Sequence, residues 1–143
     1  MGGGRPGVRW FVVVVLCVIG VLSGCTRSVS GTAVDQKEAI AGVWTGTYSC
    51  TQGETGLRLA IEPSGKIEFS FYPVNSGSHS ATGKYQAEAV FIIDTLGIAA
   101  KRWIERPGRY DMVNLLVRER TATTMRGEVL SRGCTTFSVS RNR

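Results

Sequence analysis

The chain has 143 residues and a formal net charge of +6, with four cysteines and one histidine. That length suits a single domain. The cysteines and the lone His79 show no metal-ligand spacing, and no P-loop or dinucleotide fingerprint is present, which argues against metal, nucleotide and dinucleotide chemistry.

Residues 1–9 carry Arg5 and Arg9 and no acid, and Trp10 to Leu22 reads "WFVVVVLCVIGVL" without a charge. Thirteen residues fall short of the roughly 20 that a spanning helix needs, so the run reads as a secretory leader. It ends in "LSGC", Leu22 to Cys25. This resembles a bacterial lipobox: an aliphatic residue, two small residues, then a cysteine whose thiol receives a diacylglyceryl group. The resemblance implies a signal peptide over 1–24, cleavage before Cys25 and lipidation of that residue. It places the protein on the extracytoplasmic face of the cell membrane, with the membrane as partner through the anchor. Nucleic acid is not an expected partner there. Residues 25–38 are polar and rich in Ser, Thr and Gly, and read as a flexible tether. "SVSGTAV" is similar to the tethers of actinobacterial lipoproteins.

The folding domain is expected over 39–143. "GVWTGTYSC" supplies its first strand. Alternation then puts Leu57, Leu59 and Ile61 on one face, and Ile67, Phe69 and Phe71 on one face of the next run, joined at Pro63 to Gly65. Pro73 to Ser80 is a loop by composition. Two short strands are expected at Thr82 to Gln86 and Val90 to Thr95. Gly97 to Arg106 could be a strand or a helical turn, and Arg106 to Arg109 is a turn. Val113, Leu115 and Val117 share a face, as do Met125 and Val129, and Phe137 and Val139 close the chain. About eight short strands at steady spacing predict an all-β, antiparallel eight-stranded barrel, with a β-sandwich as the alternative.

With Cys17 in the leader and Cys25 claimed by lipid, Cys50 and Cys134 remain, and in an exported domain the simplest pairing is a disulfide. Parity raises a difficulty. Trp44, Tyr48 and Cys50 share one strand face, whereas Cys134 has the opposite parity to Phe137, Val139 and Arg141. An irregularity near Gly133 would reconcile them.

Gly42, Trp44 and Arg141 resemble the arrangement of the calycin superfamily, which includes lipocalins. There a Gly-x-Trp on the first strand packs under a basic residue from the last. The resemblance implies a plug of Trp44 beneath Arg141 at one end of the barrel. The longer stretches "GVWTGTYSCTQGETGLRLAI", "RWIERPGRYDMVNL" and "RGEVLSRGCTTFSVSR" are similar to an uncharacterised exported bacterial β-domain, to which no activity attaches.

Without Arg5 and Arg9 the excess charge is +4, and it is uneven: Lys101 to Arg143 holds 10 basic and 4 acidic residues. A basic last third could meet anionic head groups or acidic envelope polymers. "KRWIERPGRY" interleaves Lys101, Arg102, Arg106 and Arg109 with Trp103 and Tyr110, the composition recognition surfaces favour. These six form the candidate binding surface, against the alternative that Trp103 is core and the arginines are solvated. No catalytic residues, cofactor or metal are expected, since His79 sits in a Ser-rich loop and the glutamates fall outward. The expected function is non-catalytic binding at the envelope, of a small apolar ligand or an envelope component, or else of a protein partner. The alternative is an inhibitor of an envelope-attacking enzyme. "TYSC" and "TGKY" are similar to motifs of membrane-bound lysozyme inhibitors, which implies an inhibitory loop at Val74 to Gly83 with Lys84 at its margin.

Overall fold

The computed structural model describes residues 2–3 and 32–143. The expected signal peptide over 1–24, apart from residues 2–3, and the lipidation of Cys25 lie outside the described residues.

The first element is a helix, α1 (Ala33–Ile40), in a stretch whose composition predicts the end of the tether. Its start is fixed by Thr32, whose side chain accepts from the Asp35 amide at 3.3 Å while the Asp35 carboxylate accepts from the Thr32 amide at 3.0 Å. This reciprocal cap satisfies two of the N–H groups that a helix start leaves without partners. The expected tether over 25–38 is therefore corrected: it becomes helical from Ala33, because a capping pair and the buried Ile40 stabilise that turn against the barrel.

Eight antiparallel strands follow: β1 (Gly42–Cys50), β2 (Gly53–Ile61), β3 (Lys66–Pro73), β4 (Gly83–Ile92), β5 (Thr95–Glu105), β6 (Asn114–Arg120), β7 (Thr124–Leu130) and β8 (Cys134–Arg141). Each pairs with its neighbours in sequence, and β1 pairs with β8, so the sheet closes as an eight-stranded barrel. Closure leaves no free sheet edge at the β1–β8 seam. The two strands expected at Thr82 to Gln86 and Val90 to Thr95 are corrected. The alternation of Tyr85, Ala87 and Ala89 carries one strand unbroken to Ile92, and the turn falls at Ile93–Asp94. The uncertain stretch Gly97 to Arg106 is strand as far as Glu105.

Every strand sends at least one side chain inward to 1 % exposure or less: Trp44, Leu57 and Leu59, Phe69, Tyr85, Ile98, Leu115, Met125 and Val139. An eight-stranded barrel has an interior about wide enough for its own side chains, and these fill it. Gly46 and Gly127 have inward parity, and a Cβ on either would strike the backbone carbonyl of Ser138 or Leu116. Close approach of neighbouring strands at these two points requires glycine.

The disulfide between Cys50 and Cys134 is present. The parity conflict is resolved on β8. Tyr48 pairs with Phe137 and Cys50 with Cys134, so two steps on β1 match three on β8. The extra residue reverses the facing of Cys134, close to the irregularity expected near Gly133, which itself has φ 77°. In the chain-entropy account, closing a loop of 84 residues stabilises the fold by roughly 4 kcal/mol.

Candidate binding surface

The barrel has two unlike ends. One carries α1, the loops at 62–65, 93–94 and 121–123, and the C-terminal residues; the other carries the loops at 51–52, 74–82, 106–113 and 131–133. At the α1 end, the Arg141 guanidinium lies 4.5 Å from the centre of the Trp44 ring. Arg141 Nη2 donates to the Ala39 carbonyl, and Trp44 Nε1 donates to the Ile40 carbonyl at 2.9 Å. Helix, indole and guanidinium thus form one stopper, with the Gly42 turn (φ 131°) leading from α1 into β1. The expected plug of Gly42, Trp44 and Arg141 is a structural feature in this geometry.

The candidate stretch Lys101 to Tyr110 is divided by two bulges. Arg102 pairs with Gln86 but Ala100 with Ala87, so Lys101 is the extra residue. Trp103 pairs with Tyr85 but Glu105 with Lys84, so Ile104 is another. Each bulge reverses the alternation. Trp103 therefore turns toward the core while Lys101, Arg102 and Glu105 stay outside.

Trp103 meets Tyr85 and Phe71 edge-on, with ring centres 5.4 and 6.2 Å apart, and Tyr110 stacks on Phe71 at 5.7 Å. Arg106 covers Trp103 at 5.7 Å, donates from Nε to the Tyr110 carbonyl at 2.9 Å and reaches Asp111 at 3.6 Å. The Tyr110 hydroxyl accepts from the Ala81 amide at 3.1 Å and donates to the His79 carbonyl at 3.3 Å, pinning the 74–82 loop to this end. Trp103, Arg106 and Tyr110 thus form one unit, with the exposed Arg109 beside it.

Lys101 and Arg102 are not part of that unit. They lie on the outer wall, Lys101 paired with Glu88 at 3.1 Å and Arg102 bonded to Gln86 at 2.6 Å. The bond from Lys101 lowers the Glu88 pKa below its ordinary value. These two cations border an outer groove of about 550 Å³ that also includes Lys66, Glu68 and Ile104. A second outer groove, of about 560 Å³, runs over β1, β8 and β7. Hydroxyls of Thr47, Ser49, Thr136 and Ser138 line it, and Arg118 closes it in a two-pronged bond to Glu128.

Lys84, the basic residue at the margin of the expected inhibitory loop, is engaged by Glu105 at 3.1 Å, which raises its pKa. Among the described residues, no group of three His, Cys, Asp or Glu side chains is placed to hold a metal ion.

Sequence reasoning missed the apolar tip at Ile92 and Ile93, 70 % and 86 % exposed. The signal was available in "VFIID", an apolar run without alternation. No protein-family model matches the chain, and no curated protein or solved structure matches it either.

Proposed function

We propose that this protein is a lipid-anchored, extracytoplasmic binding protein of the bacterial envelope, non-catalytic, that works through its outer surface. The anchor rests on the "LSGC" box at Cys25 and the basic, apolar leader before it. The binding role rests above all on one observation: Trp103 and Tyr110 stand half-buried at the end opposite α1, braced by Arg106, with Arg109 exposed beside them. Rigid aromatics next to arginines give contact area at little entropic cost. The fitting target is an acidic envelope component, met by the basic last third of the chain.

The small apolar ligand of a lipocalin-like barrel draws less support. It needs a hollow interior, and here all eight strands fill theirs. The calycin likeness rests on Arg141 over Trp44 and carries no ligand with it. The inhibitor alternative also draws less support, since Lys84 is bonded to Glu105. Lysozyme activity undiminished at excess protein would remove it.

The test of the binding role is co-sedimentation with purified acidic wall polymers. Arg106→Ala with Arg109→Ala is expected to weaken binding about ten-fold and flatten its salt dependence. Equal binding by the variant would count against the assigned surface, and no binding by either protein would count against the role.

A further inference from the structure

Two adjacent isoleucines at the turn at the α1 end are largely exposed, 70 % and 86 %. Ile92 closes β4 and Ile93 opens the two-residue turn into β5, and both project into solvent. Ile93 has φ 57°, the one non-glycine residue with positive φ among the described residues. Two-residue hairpin turns call for positive φ, and Gly or Asn normally supply it; a β-branched residue there is an outlier. Neither burial nor turn geometry explains isoleucine at this position.

The surroundings are those of an interfacial tip. Behind it, the Arg120 guanidinium lies 5.4 Å from the centre of the Phe91 ring. A shallow dimple of about 220 Å³ joins Arg120, Arg118 and Asp94. Arg118 is held by Glu128, whereas Arg120 is in none of the ion pairs among the described residues. Asp94 in the turn and Glu119 beside Arg120 offset the local positive charge, so apolar contact carries the case.

The place where α1 starts, together with the length of sequence back to Cys25, supplies the occupant. α1 sits at the same end as this tip, and its cap Thr32 is seven residues from Cys25. Seven residues reach at most about 25 Å. A domain tethered to a lipidated cysteine by this segment would hold its α1 end within that reach of the head groups.

We propose that the α1 end is the membrane-apposed face, with Ile92 and Ile93 inserted into the head-group region of the bilayer and Arg120 placed at phosphate level. This rests on the anchor reading above. A side chain with an apolar body or neighbour and a charged tip suits that boundary. The Trp103–Arg106–Tyr110 unit, at the opposite end, then faces away from the membrane.

The test uses the full acylated protein in phosphatidylcholine–phosphatidylglycerol vesicles. A bimane label is placed through Ile93→Cys at the tip or Ser76→Cys at the opposite end, and quenched by lipids brominated high on the acyl chain. Mass spectrometry reports acylation of Cys25 and single labelling. The expected result is about two-fold or greater quenching at residue 93 and none at 76. On the unlabelled protein, the amides of residues 92–94 are expected to exchange more slowly in vesicles than in detergent-free solution of the unacylated chain. Acylated protein that floats with vesicles without quenching at 93 overturns the membrane face, keeps the anchor, and leaves the tip to a protein partner. Protein that carries no acyl group and stays out of the vesicles overturns both.

Discussion

The hydroxyl of Tyr85 clamps the backbone of Val113: it donates to the Val113 carbonyl at 2.8 Å and accepts from the Val113 amide at 3.3 Å. The position of this clamp explains its use. β5 and β6 pair at only three positions, Leu96 to Ile98 with Val117 to Leu115. Beyond Ile98 the ladder stops, and side chains take over: Asn114 Oδ1 accepts from the Ala100 amide at 2.8 Å, and Tyr85 serves Val113. A buried tyrosine completes the barrel wall where strand pairing ends.

Tyr85→Phe therefore strands a buried amide and carbonyl. The expected loss is about 1–3 kcal/mol of unfolding free energy, measured by urea denaturation. Faster hydrogen exchange at Val113 than in the native protein locates the loss. An unchanged midpoint would mean that the clamp carries no stability.

At the other end, Arg141→Ala removes both the guanidinium over Trp44 and the bond to Ala39. The expected cost is about 1–2 kcal/mol, with α1 amides losing exchange protection first. Arg141→Lys restores only part of it, because a lysine ammonium lacks the flat face that stacks on indole.

Ile93→Gly works in the opposite direction. It relieves a β-branched residue held at φ 57°, and is expected to raise stability by about 1 kcal/mol even though it deletes an apolar side chain. A lower melting temperature in the variant would show that Ile93 serves the fold, contrary to its assignment to the membrane.

Alkaline pH acts through the buried phenols. Burial pushes Tyr48 up to about 12 and Tyr85 further. Since their folded values lie above the unfolded value of about 10, the unfolded chain releases these protons first. Their contribution is intact below about pH 10 and is lost as pH rises beyond it. Denaturation midpoints are expected to fall between pH 10 and 12, with phenolate absorbance from Tyr48 and Tyr85 arriving together with unfolding. Early ionisation of all four tyrosines in folded protein would contradict this burial.

The barrel was legible where alternation was clean. Leu57 to Ile61, Ile67 to Phe71 and Val113 to Val117 each point the expected side chains inward. The disulfide followed from the cysteines left over, and the bulge on β8 followed from parity. What stayed hidden depends on contacts between distant segments. Two bulges in β5 decide which way Trp103 and Glu105 face, and nothing in "AAKRWIE" marks them. The turn at Ile93 lacks glycine and asparagine, so the hairpin left no turn signature. α1 had a signal, Thr32 and Asp35 at capping spacing, but its eight residues carry almost no apolar stripe. Its stability comes from Ile40 and from Arg141, 102 residues away from Ala39.

In the proposed function, a lipid-anchored, filled barrel acts through its outer surface. Native mass spectrometry of the protein extracted from its own membrane tests this most directly. The predicted species begins at an acylated Cys25, retains the Cys50–Cys134 bond and carries no small apolar ligand. A stoichiometric apolar ligand that survives extraction, or a Cys25 without acyl groups, would contradict it.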